Sequence, residues 1–283
     1  MKIKDFARVK TVRSNDVFIT DGDRGTKTIL ADDLVFALLT GSPEMHKNII
    51  RGRNLGVRIT SDQHKAITSG TFEGLWLGDY WFNNNMAWRI VDFNYWNVNN
   101  ALPTPHIVVM PDRPLYRQQM YDTTASSTNS FWGSKVWQNI NGCDDYVIRV
   151  FDSNTVRTHV DSYQSQMNEG AGFVPPTIKS KSLDPRVKYI IPNEIMIYGT
   201  RIAATSGIGS DGLHEVSSRQ LQLFAMGWNP GDSDFWLRDQ TYINTYSVYG
   251  AEASNIGGGS TVRFSGDGVQ NETHGVRPVF AIG

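Results

Sequence analysis

Gly207, Gly209 and Gly212 stand at the spacing of a dinucleotide-binding fingerprint, with Asp232 at a suitable distance downstream. Such a loop cradles a pyrophosphate only where a strand ends at the first glycine and a helix starts by the third. Ala203, Ala204, Thr205 and Ser206 precede it and no strand–helix–strand alternation surrounds it, so the segment reads as a loop. Asp21, Asp23 and Asp32 resemble a calcium loop, but Gly25 falls where an oxygen ligand is needed and Thr26 occupies the sharp-turn position. A hairpin turn explains that stretch better. His46, His64, His106, His159, His214 and His274 are scattered without metal-ligand spacing, which reads as surface or satisfied core histidines. Asp79, Asp92, Asp112, Asp232, Asp234 and Asp239 could supply a glycosidase pair only if two faced each other across a cleft. Most of them read as turn and cap residues. The single cysteine, Cys143, excludes an internal disulfide framework and a thiolate zinc cluster. No cofactor, no metal site and no catalysis are expected.

Two aromatic stretches remain. Trp81 and Trp88 flank a turn of three asparagines, Asn83, Asn84 and Asn85, and read as core residues of two strands. Further on, Tyr242, Asn244, Tyr246 and Tyr249 lead into a Ser, Asn and Gly run. Tyrosine supplies large, rigid contact area, and amides and hydroxyls supply adaptable hydrogen bonds. The segment therefore serves either as a binding surface or as cross-strand core followed by a plain turn.

The elements that must hold these residues follow from composition and pattern. Charged residues are 19 %, hydrophobic residues 40 %, and 26 Gly, 8 Trp and 11 Tyr favour short strands and elaborate loops. A net charge of −1 argues against nucleic-acid binding. No segment approaches the roughly 20 apolar residues of a membrane span, and residues 1–10 lack an apolar signal core. Export in a particle released by lysis fits these features. Three regions are expected: 1–40, a strand–turn–strand unit with a short helix at 34–39; 41–70, a connector with one strand near 56–60; and 71–283, one α+β domain. Strands are expected at 76–82, 87–93, 106–110, 235–238, 246–249, 260–264 and 276–282. Helices are expected at 134–140, at 152–167 in pieces, and at 217–226.

The run Gly78, Asp79, Tyr80, Trp81, Phe82, then Ala87 to Tyr95, then His106 to Asp112, resembles bacteriophage surface proteins with a C-type-lectin-like fold. Tyr116 with Met120, residues 133–136, residues 192–199 and residues 218–224 continue the resemblance. Phe235 to Asp239 and, after an insert, Gly275 to Phe280 close it. Residues 15–34 resemble the short attachment module at the start of many phage fibre and virion proteins. The resemblance implies a lectin-like domain with mixed, mainly antiparallel strands, preceded by a small virion-attachment unit. It puts the insert 239–274 on the ligand face and makes Trp88, Arg89, Trp236, Arg238, Arg277 and Pro278 framework. Gln240, Tyr242, Asn244, Tyr246, Tyr249, Asn255, Arg263 and Asn271 are then the candidate ligand-binding residues. Trp228, Asn229 and Pro230 lack the second carboxylate of calcium-dependent lectins. Cys143 alone cannot supply the cysteine pair of many formylglycine-generating enzymes of the same fold.

The expected function is that of a virion protein, a fibre, spike or head or tail decoration, that docks to other virion proteins by its N-terminus and binds a host-surface glycan or protein. A homo-oligomer is expected, with a trimer the first guess from fibre analogy. A purely structural virion protein, a cell-wall hydrolase and a cellular adhesin are the competing readings.

Overall fold

A computed structural model describes residues 17–22, 25–30, 47–120, 131, 134–160, 186–199, 219–229, 234–242, 245–250, 261–265 and 273–283. The chain divides into two compact units, Met1–His46 and Lys47–Gly283. In the first, β1 (Val17–Gly22) pairs antiparallel with β2 (Gly25–Leu30), Val17 opposite Leu30 and Gly22 opposite Gly25. This is the strand–turn–strand read from the sequence. The helix expected at 34–39 lies outside the described residues.

The larger unit begins earlier than expected. Residues 47–70 are an integral part of it, not a connector, because their backbone and side chains are tied into the core. Ile50 bridges Leu77 and Asn54 bridges Tyr80 in parallel. The strand expected near 56–60 is replaced by one helix, Ser61–Thr68. Thr60 caps it reciprocally with Gln63, and the same Gln63 accepts from Trp81 Nε1 at 3.0 Å. Ala66 and Ile67 bury the inner face.

Two sheets build the rest. In the first, β3 (Tyr80–Asn83) and β4 (Met86–Phe93) form a hairpin with β3 at the sheet edge, and β5 (Ile107–Pro111) pairs with β4 on the inner side. Ile90 faces Val109 and Asp92 faces Val108, so Val91 is a bulged extra residue. Further along the chain come β6 (Tyr116–Gln118), β7 (Val156–Arg157), β8 (His159–Val160), β9 (Arg186–Val187) and β10 (Tyr189–Ile190). The strands β7 and β8 occupy part of 152–167, where helical pieces were expected; β-branched Val156 and Val160 find ladder partners instead. Short helices run Lys135–Asn139, Asp144–Val147, Glu194–Tyr198 and Gln222–Ala225, the last two where Asn193 caps and Gly227 stops them.

The chain ends in β11 (Phe235–Tyr242), β12 (Thr245–Gly250), β13 (Thr261–Ser265), β14 (His274–Val276) and β15 (Val279–Ile282). The first sheet has the order β10-β15-β5-β4-β3, with β7 also on β15; the second has the order β13-β12-β11-β14-β6. All pairings are antiparallel save β11 with β14. One strand was expected over 276–282, but Pro278 lacks the N–H a ladder needs, so β14 and β15 part there and join different sheets. Arg277, fully buried at that corner, donates from Nε and Nη2 to the Pro111 carbonyl. Trp81, Trp88, Phe151, Phe280 and Tyr189 meet edge to face in one aromatic core beneath the first sheet. The architecture is mixed helix and strand with mainly antiparallel sheets, as an α+β reading requires.

Candidate ligand-binding site

The insert expected to bind ligand grows from a rigid root. Phe235, Trp236, Leu237 and Arg238 are all fully buried. Trp236 Nε1 donates to the Gln118 carbonyl at 2.8 Å, and Arg238 N donates to the Pro192 carbonyl at 3.1 Å. One residue before β11, Asp234 accepts from Arg117 Nη1 at 2.7 Å and Nη2 at 2.9 Å, and from His274 Nδ1. His274 in turn meets the Trp236 ring edge to face, centroids 4.5 Å apart. Partial burial raises the Asp234 pKa, but the Arg117 and His274 hydrogen bonds outweigh it and hold the carboxyl below its ordinary value. One carboxylate thus joins β6, β11 and β14. Gly275 sits in the tightest part of this junction: a Cβ there would meet the Asp234 carbonyl at 2.7 Å and drive into Pro114.

Beyond the root, β12 and β13 pair only within the ribbon β11-β12-β13. Backbone register sorts the expected ligand-binding positions. Gln240 lies opposite Tyr246, and Arg263 lies opposite Val248, two residues along the same strand. Gln240, Tyr246 and Arg263 therefore share one face of the ribbon. Tyr242 pairs with Thr245, and Tyr249 pairs with Phe235 and Val262, which puts both on the other face. Register irregularities on either side of Gln240 produce this division. Asn244, Asn255 and Asn271 lie outside the described residues.

The described carboxylates considered for chemistry are held in ion pairs. Arg51 grips Asp79 from Nε and Nη2 at 3.1 and 2.6 Å, and Arg219 grips Asp92 at 2.6 and 2.7 Å. Arg89 grips Asp112 at 2.8 and 2.6 Å while lying over the Tyr80 and Trp228 rings. Four of the six carboxylates considered for hydrolysis, Asp79, Asp92, Asp112 and Asp234, are each held by a different arginine. Asp232 and the Asp239 side chain lie outside the described residues. Burial pushes the Cys143 thiol up to about 12, so it stays protonated and is no nucleophile. Among the described residues no three His, Cys, Asp or Glu side chains gather where they could hold a metal ion.

Two histidines that sequence left among surface or satisfied core groups differ sharply. His106 is satisfied: Nε2 accepts from Trp96 N–H at 3.1 Å and Nδ1 contacts the Thr104 carbonyl at 2.8 Å. His159, 1 % exposed, stacks on Trp96 with centroids 3.9 Å apart, and neither ring nitrogen has a hydrogen-bond partner among the described residues. Burial lowers its pKa to about 3, with His106 and Arg238 adding repulsion. Sequence reasoning also missed Arg117 and His274 as partners of Asp234, because β6, β11 and β14 meet only in the folded sheet.

Comparison of the chain with protein-family models, curated proteins and solved structures gave no match.

Proposed function

We propose that the chain is a bacteriophage virion protein whose C-terminal unit is a C-type-lectin-like receptor-binding domain and whose N-terminal unit attaches it to other virion proteins. The observation that carries the reading is the passage from a fully buried root, Phe235 to Arg238, directly into a ribbon rich in Tyr, Ser, Thr and Gln. A rigid base bearing a polar aromatic ribbon suits recognition of a host-surface glycan or protein. No bond is made or broken. Gln240, Tyr246 and Arg263 are the first contacts to test, since they share a ribbon face. Copies assembled as a homo-oligomer on the virion, a trimer being the simplest fibre arrangement, would turn weak single-site binding into firm adsorption. The protein would be assembled in the host cytoplasm. A purely structural virion role is the competing reading; the arginine-held carboxylates weigh against a cell-wall hydrolase.

Purified wild-type protein is expected to bind host cells and compete with virus adsorption. Gln240→Ala/Tyr246→Ala, with unchanged melting and oligomeric state, is expected to lose at least about tenfold in competition, the equivalent of roughly 1.4 kcal/mol. Equal competition by both proteins would move the site off the ribbon. No competition by assembled wild type would favour the structural reading.

A further inference from the structure

The turn of three asparagines closes more than a hairpin. Asn84 and Asn85 hold φ of 49° and 58°, the left-handed region that asparagine tolerates, and so reverse the chain tightly between β3 and β4. Asn83 Nδ2 reaches back to the Val57 carbonyl at 3.1 Å and the Arg149 carbonyl at 3.2 Å. The Asn85 carbonyl accepts from Arg113 Nη2. The hairpin tip thereby anchors two arginines that are 36 residues apart in sequence, Arg113 after β5 and Arg149 after the Asp144–Val147 helix.

Between them lies a cleft of about 410 Å³. That is the lower part of the range for small-molecule sites, about 300–1,000 Å³. Trp88, Met86, Val150, Pro114 and Leu115 give it an apolar lining. Tyr146, 38 % exposed, adds an aromatic ring to the lining, and Asn84 an amide. Among the described residues that line it, Arg113 and Arg149 are the charged groups and none is acidic. Asp112, next to Arg113 in sequence, is held by Arg89, and neither Asp144 nor Asp145 is part of the lining. The larger cleft of about 690 Å³ beside the Ser61–Thr68 helix differs in kind, because Arg53 and Lys65 there are matched by Asp62 and Glu73.

We propose that the cleft beneath the β3–β4 turn is a second binding site, separate from the ribbon, for a carboxylated saccharide. Two guanidiniums at a concave, partly apolar site favour an anion, and their planar forks match a carboxylate's two oxygens. The exposed tyrosine and the apolar lining suit the C–H face of a sugar ring, and Asn84 suits its hydroxyls. A small inorganic anion would use the arginines and leave the ring and the apolar lining uncovered. The proposal does not depend on the ribbon binding anything.

The test is calorimetric titration of the full-length protein with a glucuronic-acid-containing tetrasaccharide, a neutral tetrasaccharide of the same length, and inorganic phosphate. The acidic tetrasaccharide is expected to bind at least about tenfold more tightly than either comparator. Arg149→Ala and Arg113→Ala are each expected to weaken it by about tenfold, and Tyr146→Ala by severalfold. Lys65→Ala, which removes a positive charge from the other cleft, is expected to change nothing. All four side chains are at least partly exposed, and unchanged melting would certify the fold of each variant. Equal binding of neutral and acidic sugars, indifference to both arginine substitutions, or no binding of the acidic sugar at millimolar concentration would each overturn the proposal. Phosphate binding as tight as the tetrasaccharide would overturn the saccharide assignment.

Discussion

Stacked on Trp96 in the core, His159 shares its surroundings with His106 and Arg238, and burial lowers the two imidazoles to about 3 and about 4 respectively. Both folded values lie below the unfolded value of roughly 6.5, so the unfolded chain takes up protons first as pH falls. The stability contribution is complete above about pH 6.5 and drains away down through the folded values. At pH 5 the loss is roughly 2 kcal/mol per histidine, at about 1.4 kcal/mol per unit. Urea denaturation between pH 7 and 4 is expected to show this, and His159→Phe is expected to flatten the slope by about one proton. An unchanged slope in that variant would place the acid sensitivity elsewhere. Asp92 poses the opposite problem, a buried carboxylate whose burial raises its pKa while Arg219 and the Gln222 and Phe93 amides hold it. Arg219→Ala leaves that charge uncompensated, and about 3 kcal/mol of destabilisation is expected in the same assay. Neither feature could be read from sequence. The histidines are separated by 53 residues, and Asp92 and Arg219 by more than a hundred.

The hairpin β3–β4 was legible because everything that makes it is local: a run of three aromatic residues, a turn of asparagines, then the β-branched Ile90 and Val91. The Ser61–Thr68 helix was missed for a physical reason. Only Ala66 and Ile67 of its eight residues are buried, so there is almost no apolar stripe to detect. The Thr60–Gln63 capping pair was the available signal. Register in the ribbon was equally hidden, since irregularities beside Gln240 change which positions share a face. At this scale the left-handed pair Asn84–Asn85 makes a sharp prediction. Asn84→Gly/Asn85→Gly should fold with little change, whereas Asn84→Val/Asn85→Val should lose about 1–2 kcal/mol per residue by thermal denaturation. Gly275→Ala should be harsher still, because the new methyl has no room beside Asp234 and Pro114.

Residues 47–283 hold their own core, so removal of the first 46 residues is expected to leave a cooperative unfolding transition at a nearly unchanged temperature. A broad transition would show that the larger unit needs the smaller. Within that unit β15 lies between β10 and β5 and also pairs with β7, every one of its residues buried. Its partners Val108, Val109 and Ile107 are more than 170 positions upstream. A ribosome therefore finishes almost the whole unit before the slot in the first sheet can be filled, and until then the β5 edge is open and apolar. A chain broken off anywhere before residue 279 keeps that edge exposed and is marked for aggregation or proteolysis. The late strand thus acts as a check on synthesis: only a chain made as far as residues 279–282 can fill the slot beside β5 and close the first sheet.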